Sequence, residues 1–206
     1  MSLAPARRAN LHTKDRPMTT ATVDDLIALA RAASDASEFP ESEFHGVGHW
    51  QGVADQAIWL AEELGWGREE RVFAFVFGAT HDCRRVNDDW DPEHGARAAQ
   101  WLDAKGWMHR LHMTYYADTM RQSLIWHDKG QVLHSPNAPA FPRCAELGTL
   151  GWDADRSLLG RVGMDPDPKF FSLVQDPTFF EAFIRRGERV AEAPACWTAL
   201  AQRALA

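Results

Sequence analysis

Apolar positions recur at helical spacing along most of the chain, and no strand-length stretch alternates convincingly between apolar and polar, so the pattern predicts an all-α fold. Thr22, Asp24 and Asp25 supply a capping hydroxyl and an acidic first turn ahead of Leu26, Ile27, Leu29 and Ala30, which predicts a first helix to about Ala33. From about Gly48, residues Val53, Ala57, Leu60 and Leu64 share a face until Gly65 stops a second helix; His49 lies on that inward face and His45 one turn earlier. A third helix starts at Arg68 or Glu69, is apolar nearly all round from Phe73 to Phe77, as a buried helix should be, and runs into His81 and Asp82. Asp91, Pro92 and Glu93 read as N-cap, first-position proline and acidic turn of a fourth helix, which ends at Gly106 and aligns His94, Ala98, Trp101 and Leu102. A fifth, from near Thr114 to Lys129 and Gly130, places Met120, Leu124 and His127 on one stripe. The proline-rich segment 131–144 reads as a surface loop. A helix from about Arg143 then carries Leu147, Leu150, Asp155, Leu158 and Leu159 on a broad apolar face, and after the irregular stretch 161–177 one or two helices close the chain between Thr178 and Ala206.

Composition narrows the class of protein. A chain of 206 residues that is 45% hydrophobic and 25% charged can bury a full core, and one domain over residues 21–206 is expected, preceded by a flexible leader over residues 1–20. The leader carries basic residues without the apolar stretch of a secretory signal, and no apolar run is long enough to span a bilayer. The three cysteines are far apart and form no CxxC, which argues for a reducing, cytoplasmic setting. A net charge of -7 opposes binding to a long nucleic acid and leaves a small anionic substrate as the expected partner; the pattern leaves the oligomeric state open.

The inward faces carry groups that are expensive to bury: His49, His81 with Asp82, His94, His127 and Asp155. Each alone has an ordinary explanation, because one hydrogen bond satisfies a core histidine and a His-Asp pair can cap its own helix. Together, on separate helices, they form the donor set that a divalent ion recruits: neutral imidazole nitrogens and carboxylate oxygens. Arg84, Arg85, Lys129 and Arg156 follow these residues closely and supply local positive charge for an anion, although ion pairing with Asp88, Asp89 or Asp153 accounts for any one of them equally well.

The order His49, His81-Asp82, Asp155 resembles the HD superfamily of metal-dependent phosphohydrolases, an all-helical fold. Three contexts carry the likeness: HWQGV at His49, an apolar helix running into HDCRR, and WDADRSLLG around Asp155. It covers roughly residues 44–162. The resemblance implies that His49, His81, Asp82 and Asp155 bind one divalent ion, with Asp155 rather than Asp153 as the final ligand and His49 rather than His45 as the first. It implies further that His94 and His127 match the additional histidines of two-metal branches, in which Asp82 bridges the ions. The metal is one of Mn, Fe, Zn, Ni, Co or Mg.

Asp82 and Arg85 are then the candidate catalytic residues, with Arg84, Lys129 and Arg156 as candidate substrate-binding residues. The chain departs from the cyclic-dinucleotide phosphodiesterase branch, which has Gly-Tyr-Pro after the residue matching His127, a second His beside it, and a lysine where this chain has Arg85. Arginine keeps the charge but not the capacity to transfer a proton. The expected activity is hydrolysis of a small phosphoester, a nucleotide or other phosphorylated metabolite. Two alternatives come with the same superfamily: a di-iron oxygenase acting on an inositol or a phosphonate, and a non-catalytic sensor.

Overall fold

The computed structural model describes residues 19–133, 141 and 144–206, and among these residues the chain is all-α with no strand. The longer helices are α1 (Val23–Ala36), α2 (Val47–Glu63), α3 (Arg68–Thr80), α4 (His94–Ala104), α6 (Ala117–Trp126), α7 (Ala145–Arg156), α8 (Pro177–Glu192) and α9 (Trp197–Leu205). The short α5 is Trp107–Arg110, and single 3-10 turns cover Thr114–Tyr116, Leu159–Val162 and Pro168–Phe170. The leader expected over residues 1–20 falls almost wholly outside the described residues, as does most of the expected loop 131–144.

The third helix is central because its sequence leaves it no polar face: every residue from Val72 to Thr80 is buried. It packs against α2, α1, α9, α7 and α6, and one connected apolar core takes in residues from Ala21 to Ala204. Gly78 allows α2 and α3 to touch, since a Cβ there would stand 2.5 Å from the Cα, Cβ and backbone nitrogen of Ala54. Gly95 does the same between α4 and α6, where a Cβ would meet the Leu124 carbonyl oxygen at 2.1 Å. The buried Asp55 of α2 accepts from Arg186 of α8 and Arg203 of α9, both at 2.6 Å, and so ties the C-terminal helices to the same side of the bundle.

Helix starts follow local chemistry. Thr22 and Asp25 form a reciprocal capping box: the Thr22 hydroxyl accepts from the Asp25 amide at 3.2 Å, and the Asp25 carboxylate accepts from the Thr22 amide at 2.9 Å. The fourth helix does not start as expected. Asp91 Oδ2 accepts the Val86 amide at 2.9 Å and the Arg97 guanidinium, so it does not cap, and the helix begins at His94 with Glu93 in the cap position. Beyond Gly106, which takes the left-handed conformation at φ 65°, the short α5 was not anticipated, because four residues carry too little periodicity to register. The helix bearing Asp155 ends at Arg156, which leaves Leu159 in a 3-10 turn rather than on the helical face.

Candidate metal centre

His49 lies in the first turn of α2, His81 and Asp82 directly follow α3, His94 opens α4, His127 follows α6 and Asp155 lies in the last turn of α7. Five helices that cross near one point thus each deliver a side chain to it from a terminal turn, where the backbone of the element is not interrupted. All but Asp155 are buried, and Asp155 is partly so.

The side chains form two groups, His49 with His81 and Asp155, and Asp82 with His94 and His127. In the first, His49 Nε2 lies 3.2 Å from His81 Nε2 and 3.1 Å from Asp155 Oδ1. In the second, His94 Nε2 lies 2.9 Å from His127 Nε2 and 3.0 Å from Asp82 Oδ1. The carboxylate of Asp82 stands between them: its Oδ2 is 3.6 Å from both His49 Nε2 and His81 Nε2, while its Oδ1 faces His94 and His127. Each group therefore receives one Asp82 oxygen.

The hydrogen-bond partners on the outer edge of the rings test whether this set fits a cation. His81 Nδ1 donates to the Gly78 carbonyl at 3.1 Å, His127 Nδ1 to the Leu124 carbonyl at 2.7 Å, and His94 Nδ1 to the Asp91 carbonyl. A carbonyl only accepts, so in these rings Nδ1 carries the hydrogen and Nε2 turns a lone pair to the centre. Between His94 and His127 two lone pairs would then face each other at 2.9 Å, which is stable only with a proton or a cation between them. Two nitrogens bound about 2.0 to 2.1 Å from one ion stand roughly 2.9 to 3.4 Å apart at right-angled or tetrahedral positions, and both histidine pairs fall in that interval. The donor set fits divalent metal ions.

The electrostatics of His49, His81, Asp82 and Asp155 agree with this arrangement. Burial drives His81 down to about 3 and, helped by the nearby Arg161, also lowers His49, so both rings are neutral and free to ligate. Burial would raise the Asp82 carboxyl, but His81, His127 and His94 hold it well below the usual carboxylate range. Asp155 is likewise kept low against burial by His49, His81 and His127. His127 is raised despite its burial, because the Asp82 carboxylate favours its protonated form.

Of the two acids in the WDADR segment, Asp155 reaches the histidines, whereas Asp153 accepts the backbone amides of Ser172 and Leu173 at 2.9 and 2.7 Å. Burial pushes the Asp153 carboxyl up to about 6 against those bonds. His45 stays at the rim and pairs with Asp88 at 2.9 Å. The centre forms the floor of a cavity of about 530 Å³, on whose walls stand Arg85, Arg156 and Arg161.

Arg85 pairs with Asp82 at 3.4 Å and is anchored on the Asn87 and Asp89 carbonyls. Arg156, over the Trp152 ring, donates to the Phe170 and His127 carbonyls. Two expected anion-binding residues lie elsewhere. Arg84 turns to the Ala36 carbonyl at the end of α1, and Lys129 donates to the Pro92 carbonyl and pairs with Asp128 at 3.5 Å; neither lines the cavity. Proximity in sequence to a ligand does not fix direction, since successive residues in a turn diverge. Arg161, which the sequence pattern does not single out, lines the cavity instead. Its only signal is a basic residue just beyond the apolar Leu158 and Leu159; in the 3-10 turn of Leu159–Val162 its guanidinium donates to the Leu158 and Phe44 carbonyls and feels the charge of Asp155.

Among known proteins, the chain matches no family model, no curated protein and no solved structure.

Proposed function

We propose that this protein is a metal-dependent phosphohydrolase of the HD type, acting on a small phosphoester such as a nucleotide or another phosphorylated metabolite. The observation that supports the reading most is Asp82, one carboxylate presenting an oxygen to each of two buried histidine groups on the floor of a cavity with arginine walls. His49, His81, Asp82 and Asp155 would hold one divalent ion, and His94 and His127 with the other Asp82 oxygen a second.

Such ions, when bound, acidify water and offset charge on phosphoryl oxygens. The remaining work falls to this chain's own groups. Arg156 and Arg161 form no ion pair among the described residues, and their guanidinium N–H groups are suited to orient the oxygens of an incoming phosphoryl group. Arg85 acts through Asp82: anchored on two carbonyls, it fixes the carboxylate so that each oxygen keeps its own side. The carbonyls of Gly78, Asp91 and Leu124 hold three imidazoles in the ligating tautomer before any substrate arrives.

The test is metal analysis of the purified protein together with a screen of phosphomonoesters, nucleotides, cyclic nucleotides and phosphonates in the presence of each divalent metal. Metal-dependent phosphate release that is lost in Asp82→Ala supports the proposal. Oxygen consumption with an inositol or a phosphonate, and an iron spectrum that changes between air and reductant, would replace it with the di-iron oxygenase reading. Failure to retain any metal would leave a non-catalytic sensor.

A further inference from the structure

Among the described residues the exposed large apolar side chains are Phe44, Val86, Trp90, Met164 and Phe170, and three of these five stand at one cavity. Trp90, Met164 and Phe170 line it directly. The carbonyl of Phe44 receives the Arg161 guanidinium on the cavity wall. Val86 follows Arg85, and its amide donates to Asp91, both of which are lining residues. Scattered exposed apolar residues need no explanation, but a set gathered around one opening marks a surface that is covered in use. Trp90 is the most exposed of them at 75%, and no packing requirement of the fold holds it there.

The rest of the lining is both apolar and polar. Leu159, Val162 and Phe171 lie among the lining residues, with the metal-centre histidines, Asp82 and Asp155 at the floor and the arginines on the walls. Floor and rim are continuous in a single space of about 530 Å³, within the ~300 to 1,000 Å³ that pockets for whole small molecules occupy. One phosphoryl group engages the floor and leaves most of that volume to the rest of the molecule. The charge on the walls limits that remainder. Asp88, Asp89, Asp128 and Asp167 also line the cavity, so a second phosphate away from the arginines would meet carboxylates.

We infer that the substrate is a monophosphate with an aromatic or aliphatic body, its single phosphoryl group on the metal and arginine floor and its body seated against Trp90, Met164 and Phe170. This rests on the hydrolase reading for the floor but not for the rim. A flat or branched apolar body covers the exposed rings on entering, and burial of that surface supplies affinity that a sugar phosphate does not gain. The shared cavity, rather than the rim alone, assigns this occupant in preference to a second protein chain.

The experiment uses the full chain loaded with its metal and compares two non-hydrolysable probes with the same head, phenylphosphonate and methylphosphonate, by calorimetry on wild type, Trp90→Ala and Phe170→Ala. The expected result is tighter binding of phenylphosphonate, by roughly tenfold as burial of one aromatic face implies, with the ratio of the two affinities falling toward one in the variants. Trp90 is exposed, so its replacement removes no core contact, and unchanged far-UV circular dichroism verifies folding. Equal affinities for both probes in wild type would overturn the inference while leaving phosphoester hydrolysis standing. The expected affinity ratio in a protein that releases no phosphate from any ester would sustain the inference and remove the hydrolase reading. Concentration-dependent dimerisation of wild type that Trp90→Ala abolishes, with no change in the affinity ratio, would assign the rim to a second copy and also overturn it.

Discussion

At the scale of single residues, the decisive positions are those where ligation and packing are separable. Asp82 is buried, and its two oxygens face different histidine pairs. Asp82→Ala is expected to abolish metal retention and activity while the helical content stays that of wild type, because the apolar core built on α3 does not include it. Metal content by mass spectrometry beside far-UV circular dichroism tests this, and full metal content in the variant would contradict it. Gly95 is a second such position. A methyl group there would collide with the Leu124 carbonyl, which also accepts from His127, so Gly95→Ala pushes α4 away from α6 at a cost of about 1 to 3 kcal/mol and separates His94 from His127. Metal titration should then fall from near two equivalents toward one, as in His94→Ala and His127→Ala. An unchanged stoichiometry in all three would show that these histidines hold no second ion.

At the scale of the element, helix identity was readable because periodicity is local, and helix ends were readable only where the cap is local too. Thr22 and Asp25 cap α1 within four residues of sequence, and there the start is as expected. Asp91 has the same chemistry, but partners brought by Val86 and Arg97 outcompete the amides of its own helix. The capping box yields a measurable pH dependence. The Thr22 hydroxyl and backbone amide hold the Asp25 carboxyl below its ordinary 3.8, so the stabilisation is fully present above that value and is lost as pH falls through the lower folded value. Thr22→Ala should cost about 1 kcal/mol in urea denaturation at pH 7, and part of that difference should disappear as the pH falls below 3.8.

At the scale of the whole molecule, the centre joins five helices from separate parts of the chain, so bound metal should act as a cross-link of the fold. No helix among the described residues is long and apolar enough to cross a membrane. Ion in hundredfold excess over its dissociation constant stabilises by about 2.7 kcal/mol, which for a chain of this size raises the melting temperature by roughly 5 to 10 °C. Calorimetry before and after chelation measures the difference. Equal melting temperatures would mean that the histidine pairs are held by protons rather than by an ion.

The sequence by itself determined the helical class, the burial of α3 and the six polar side chains on inward faces, because a 3.6-residue period and the cost of burying an imidazole or a carboxylate are properties of each segment alone. It also separated His49 from His45 and Asp155 from Asp153, but only through the family resemblance; in the structure His49 and Asp155 cluster with His81, and His45 and Asp153 do not. What the tertiary structure decided is everything that depends on direction between segments. The six side chains divide into two groups around the Asp82 carboxylate because α2, α3, α4, α6 and α7 cross where glycines permit contact. Arg84 and Lys129, each two residues beyond Asp82 and His127 in sequence, turn away, while Arg161 turns in, because a residue's direction within a turn is set by the carbonyls it finds: those of Ala36 and Pro92 for the first two, and that of Phe44 for Arg161.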